Sequence, residues 1–191
     1  KQIKVLEKHK KAVIFADFSY DNEKIISIGR DKKVYLWDLS SGTYEAKLIS
    51  KLHQAKTAEF SPDNKQVAIG YDKKIVIWNI ETQKIESTIV GFGADIITLS
   101  FSRDGKKLLF AGNTGVIYLW DLSEKKATMK YVGHKENILK VSFLNDDKWL
   151  SVQMFNFLCS SRSPKAKLKH FIFLVSFSLI NLYSFFIGSN E

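Results

Sequence analysis

The chain has little of what staples, kinks or loosens a fold. One cysteine, Cys159, stands among 191 residues, so no internal disulfide can form, and that usage fits a cytosolic or nuclear setting. Two prolines and ten glycines leave no collagen-like or flexible-linker composition. Residues 1–152 hold no sustained helical period. Nothing near Lys1 resembles a signal peptide. Long apolar runs are lacking too, with the single exception of residues 171–187. What is plentiful is ordinary globular material, 45% hydrophobic and 13% aromatic, enough for one domain with a sizeable core.

Acidic charge is in deficit, with a net charge of +9. Part of the excess lies at the end of the chain, where Lys148, Arg162, Lys165, Lys167 and Lys169 face Glu191 alone. The first 147 residues carry only +5, with acids and bases interspersed, which reads as a solvated surface. Electrostatic binding of nucleic acid needs clustered cations, so a nucleic-acid partner is not expected of that region.

Catalytic patterns are also missing. The stretch "GFGADI" at 91–96 has two glycines of a dinucleotide fingerprint, without the third and without a following helix. "GNTG" at 112–115 reads as a hairpin turn, and Cys159 has no activating histidine nearby in sequence. No catalytic, cofactor or metal residue is assigned, and the chain is read as a non-enzyme.

What is present is repetition. "KKVYLWDLSS" at 32–41 returns as "KKIVIWNIET" at 73–82 and "GVIYLWDLSE" at 115–124, so that Trp37, Trp78 and Trp120 are 41 and 42 residues apart. Phe18, Phe60 and Phe101 precede them in phase, Phe143 opens a fourth copy, and Gly29, Gly70 and Gly112 each lie eight before a Trp. Polar turn segments ("SYDNEK", "SPDNK", "SRDGK", "LNDDK") follow the four phenylalanines. Short β-branched and aromatic stretches between such turns predict strands, four per unit. In the third unit they fall at about 95–101, 107–112, 115–121 and 127–132. A lone four-stranded sheet leaves two apolar faces open, and stacking copies side by side covers them.

With that period and the Trp37–Asp38 and Trp120–Asp121 pairs, the chain resembles the WD-repeat β-propellers. Trp78–Asn79 is a variant pair, Gly133–His134 opens the fourth repeat, and Lys8–His9 opens the first in degraded form. The resemblance implies an all-β fold, an incomplete propeller of four-stranded antiparallel blades over residues 1–152. Its repeats are about 9–50, 51–90 and 91–132, with a partial fourth from 133 and a non-repeat tail at 153–191. It further implies that a histidine before each unit bonds a turn aspartate and, through a strand hydroxyl, the Trp indole. His9, His134, Asp31 and Asp72 hold those structural places with Trp37, Trp78 and Trp120. Thr114 and Phe92 replace Asp and His in the third repeat, and His53 is out of phase. Because Gly fills the place eight before each Trp, where the hydroxyl is sought, a partial network and a less rigid propeller are expected. His9 and His134 lie about three units apart and cannot share one ion.

The resemblance implies a protein-interaction scaffold or adaptor within a larger assembly, holding protein or peptide partners on its rim, in the cytoplasm or nucleus. Rim positions before the turn aspartate are Arg30, Tyr71 and Asn113; those six before each phenylalanine include Asp95 and Asn137. Arg30, Tyr71, Asn113, Asp95 and Asn137 are therefore the candidate partner-binding set. The tail adds alternatives. As a helix, residues 171–187 reach only about 25 Å, at the short end of a membrane span, and the basic flank would leave the propeller cytosolic. The same residues also read as a degenerate blade or as a run foreign to the repeat. The basic segment 162–170 offers a nucleic-acid alternative.

Overall fold

A computed structural model describes residues 5–39, 46–50, 54–132, 138–144, 149–154, 171–175 and 183–187. The regular structure among them is all strand, and the chain divides into two compact units, Lys1–Gly93 and Ala94–Glu191.

In the first unit, β1 (Val13–Phe18), β2 (Lys24–Gly29), β3 (Val34–Asp38) and β4 (Ala46–Ser50) form one antiparallel sheet in sequence order. Opposed pairs such as Ile25 with Trp37 and Ser27 with Tyr35 set its register. A second blade begins with β5 (Thr57–Phe60), paired with the first limb of β6 (Gln66–Asn79). Although β6 runs fourteen residues, it is a folded hairpin. Lys73 sits at φ 60°, a left-handed value no straight strand holds, and the Ile80 N–H bonds the Lys65 carbonyl at 2.9 Å, bringing the two ends side by side. The next strand, β7 (Ile85–Phe101), is likewise two strands in sequence, separated by Gly91 and Gly93 with φ of 102° and 64°. Its first limb completes the second blade.

The second limb, residues 96–101, opens the third blade in the second unit, followed by β8 (Lys107–Gly112), β9 (Ile117–Asp121) and β10 (Lys126–Tyr131). These strands fall where the repeat predicted them. β11 (Ile138–Leu144) and β12 (Trp149–Met154) pair as a further hairpin, starting at the fourth phenylalanine segment.

Three copies of one turn join the first two strands of each blade. Ser19, Ser61 and Ser102 each donate a hydroxyl to an aspartate two residues on (Asp21, Asp63 and Asp104) and accept the N–H of Lys24, Gln66 and Lys107 respectively. The same carboxylates accept the N–H of Glu23, Lys65 and Lys106. Asn22, Asn64 and Gly105 hold the left-handed corner at φ 60°, 59° and 71°, a conformation asparagine and glycine tolerate best.

The inner strands β2 and β3 are buried on both faces for most of their length, which is why they show little apolar/polar alternation. From one face of the first blade, Ile26, Ile28, Val34 and Leu36 join Ala58, Phe60, Val67, Ile69, Val76 and Trp78 of the second in one core. In the second unit Leu109, Ala111 and Ile117 pack with Ile138, Val141 and Val152. Two cross-links accompany that core: the Val141 N–H donates to Thr98 Oγ1 at 3.1 Å, and the Phe143 N–H to Ser100 Oγ at 3.4 Å.

The in-phase phenylalanines are not equivalent in burial. Phe60 and Phe101 are 1% and 3% exposed, whereas Phe18 is 55% exposed. β5 covers one side of the first blade at β1, and no described strand of the first unit covers the other side. Trp37 and Trp78 are buried while Trp120 is only half-buried.

In the tail, β13 (Phe171–Val175) and β14 (Tyr183–Ile187) pair antiparallel, Phe171 with Ile187 through Val175 with Tyr183. The run 171–187 is therefore not one helix, which corrects the helical-anchor expectation. Its aromatic and β-branched content favours strand. Among the described residues no helix is long and apolar enough to cross a membrane.

Candidate partner-binding rim

The end of the first blade is fixed by a chain of four polar side chains. His9 Nδ1 lies 3.0 Å from Asp31 Oδ1, His9 Nε2 lies 2.8 Å from Ser27 Oγ, and the Trp37 indole donates to the same hydroxyl at 2.8 Å. The ends set the direction of the bonds. An indole N–H can only donate and a carboxylate only accept. With a neutral imidazole the Nδ1 hydrogen goes to Asp31 and the Ser27 hydroxyl donates to Nε2.

Asp31 does more than hold the ring. Its oxygens also accept the N–H groups of Lys10 at 3.0 Å and Lys33 at 3.2 Å, tying the incoming loop to the β2–β3 turn. Burial works to raise its pKa, but the Lys10 N–H, His9 and the Lys33 N–H outweigh burial and hold the carboxyl below the usual carboxylate range. Gly29 lies directly beneath the His9–Asp31 bond, where any Cβ would overlap both side chains.

This corrects the expectation of a partial network in every repeat. The hydroxyl stands ten before Trp37, opposite Tyr35 in the antiparallel register, and eight before it is the glycine that makes room. Ser27 was the residue the sequence reading missed. Counting back across the hairpin from Trp37 would have found it. Elsewhere the hydroxyl is absent, since Ala68 and Ile69 flank that place in the second blade and Phe110 holds it in the third. Phe110 stacks on Tyr118 instead, with centroids 5.3 Å apart and planes 16° apart, so an aromatic pair replaces the polar one. Asp72 of the second blade is 49% exposed and pairs with Lys56 at 3.2 Å.

The rim candidates divide in the same way. Arg30 is exposed, its backbone N–H held by the Ala12 carbonyl at 2.8 Å. Asn113 is exposed and Asp95 half-buried, and the structure brings these two together. The Asn113 N–H meets the Asp95 carbonyl and the Asp95 N–H meets Asn113 Oδ1, both at 3.3 Å. Gly112 permits this approach, because a Cβ there would overlap the Asp95 carbonyl.

Tyr71 departs from expectation. It is 4% exposed and belongs to the core, with Lys74 Nζ 5.5 Å over its ring. The cause is a shorter hairpin. Bonds closing the equivalent hairpins join Leu39 to Glu23 and Leu122 to Lys106, sixteen residues apart, but Ile80 to Lys65, fifteen apart. Losing one residue turns the side chain at 71 to the other face. Asn137 and His134, like His53, Cys159 and the basic segment 162–170, lie outside the described residues.

The WD40 family (WD domain, G-beta repeat) matches residues 1–38 and 47–79. Among solved structures the chain is similar to the RRP9 WD40 repeats, with a TM-score of 0.65 and 21% identity. That match covers 73% of this chain and 44% of the other, so this chain spans less than half of the structure it resembles. No curated protein matches it.

Proposed function

Since the chain is built of WD40 repeats folded as β-propeller blades, we propose that it serves a larger assembly as a non-enzymatic scaffold or adaptor, in the cytoplasm or nucleus. WD40 repeats mark proteins of the interaction-scaffold kind, and such proteins are generally not enzymes. The observation that carries the reading is a pinned loop in each of the two units. Arg30 in the first unit and Asn113 in the second stand exposed at loop positions whose backbones are pinned by Ala12 and Asp95, so a partner meets loops already ordered and spends little on ordering their backbone. Arg30, Asp95 and Asn113 are the residues assigned to partner contact, with Asn137 as the fourth position of the set. The test is capture by the immobilised full chain. Arg30→Ala with Asn113→Ala should abolish partner retention while the unfolding free energy stays within about 1.5 kcal/mol of the parent, the loss being that of the Asn113 side-chain bond. Full retention by the double variant would refute the rim assignment.

A further inference from the structure

We propose that the first-blade end formed by residues 8–12 and 30–33 is a docking surface for an acidic peptide segment, recognised by six cations on two loops stapled together. It rests on the interaction reading above and supplies the partner's chemistry.

Lys8, Lys10, Lys11, Arg30, Lys32 and Lys33 occupy these loops, and Asp31 is the one acid among them. The loops are bound to each other by the Lys10 N–H on Asp31 and the Arg30 N–H on the Ala12 carbonyl. Their cations therefore share one end of the blade. Asp31 does not present its charge to solvent, for its side chain is 6% exposed and both oxygens are engaged. Among the described residues, no side chain of the six cations forms an ion pair.

The charge count decides that this is a patch rather than a share of a uniformly basic surface. Outside these two loops, residues 1–147 hold eighteen basic and eighteen acidic side chains. The +5 of the repeat region is thus the net charge of this one site. The equivalent turn of the next blade adds Lys73 and Lys74, with its acid Asp72 paired to Lys56.

A peptide fits better than a nucleic acid. Single strands are held by cations together with exposed rings on which bases stack. Here the nearby ring, Tyr35, is buried against His9 with Lys33 Nζ 5.9 Å above it. What the surface offers is a planar guanidinium and several ammonium groups at short spacing, suited to successive carboxylates.

The experiment is fluorescence anisotropy of a labelled Glu/Asp-rich peptide of about twelve residues with the full chain, at about 0.05 M and about 0.2 M salt. The expected result is saturable binding that weakens with salt. It should fall about tenfold or more in Lys8→Glu/Lys10→Glu/Lys11→Glu and in Arg30→Glu. A control triple, Lys84→Glu/Lys106→Glu/Lys125→Glu, makes the same charge change at exposed sites elsewhere and should keep most of the affinity. Absence of peptide binding by the parent chain, equal loss in the control triple, or tighter binding of an oligouridylate at the same salt would each overturn the proposal. Partner capture lost in Arg30→Ala/Asn113→Ala without any peptide binding would leave the scaffold reading standing and remove only the acidic-peptide assignment.

Discussion

Ser27→Ala removes one oxygen and strands two groups. The Trp37 indole and the His9 ring are both nearly inaccessible to water, and each loses its bond to Ser27 Oγ, 2.8 Å long in both cases. Leaving one buried polar group unsatisfied costs about 1–3 kcal/mol, so the pair sets a loss of roughly 2–6 kcal/mol, with little offset from the extra apolar surface of alanine. The assay is urea unfolding followed by tryptophan fluorescence. At a slope of about 1–3 kcal/mol per molar urea the midpoint should fall by about 1 M or more. A double-mutant cycle with Trp37→Phe sharpens the test. Once the indole N–H is gone, Ser27→Ala should cost clearly less than in the parent, giving a coupling of about 1 kcal/mol or more. A loss below about 0.5 kcal/mol for Ser27→Ala, or strictly additive losses in the cycle, would refute the claim that this hydroxyl closes the network.

Trp78→Ala, at a buried core site, should cost about 3–5 kcal/mol in the same assay, and the half-buried Trp120 clearly less; equal losses would contradict the difference in burial. The turn carboxylates give a pH dependence. Asp21 is held low first by the Ser19 hydroxyl, Asp104 first by the Lys106 N–H, and in Asp63 burial acts upward but Ser61 and Lys65 outweigh it. Folded pKa values below the unfolded 3.8 mean that this stability is complete above that value and is lost as pH falls through the folded ones. Thermal midpoints should therefore fall below about pH 4, less steeply in Asp104→Asn, and an unchanged slope in that variant would count against the turn as its source.

Repetition made most of the architecture legible. Three turns of one chemistry, three tryptophans in phase and strands at the predicted places all follow from local rules, since turn residues and β-branched runs act within a few positions of themselves. Trp37 and Trp78 are buried as the pattern required. The rim was less legible. Arg30 and Asn113 are exposed, but Tyr71 is not, because a single residue missing from one hairpin reverses which face a side chain takes. Counting from a tryptophan cannot detect that deletion.

The sequence by itself determined the period, the strands, the turns and the residue types at each blade position, all of which depend on neighbours along the chain. Tertiary structure alone decided that the incoming loop brings His9 onto Asp31 and Ser27. It also decided that Phe18 is open where Phe60 and Phe101 are closed, and that scattered lysines at 8–11 and 30–33 gather at one end of a blade. Those outcomes turn on which strand lies opposite which and on what covers each face. Such relations join residues tens of positions apart, and no local pattern records them.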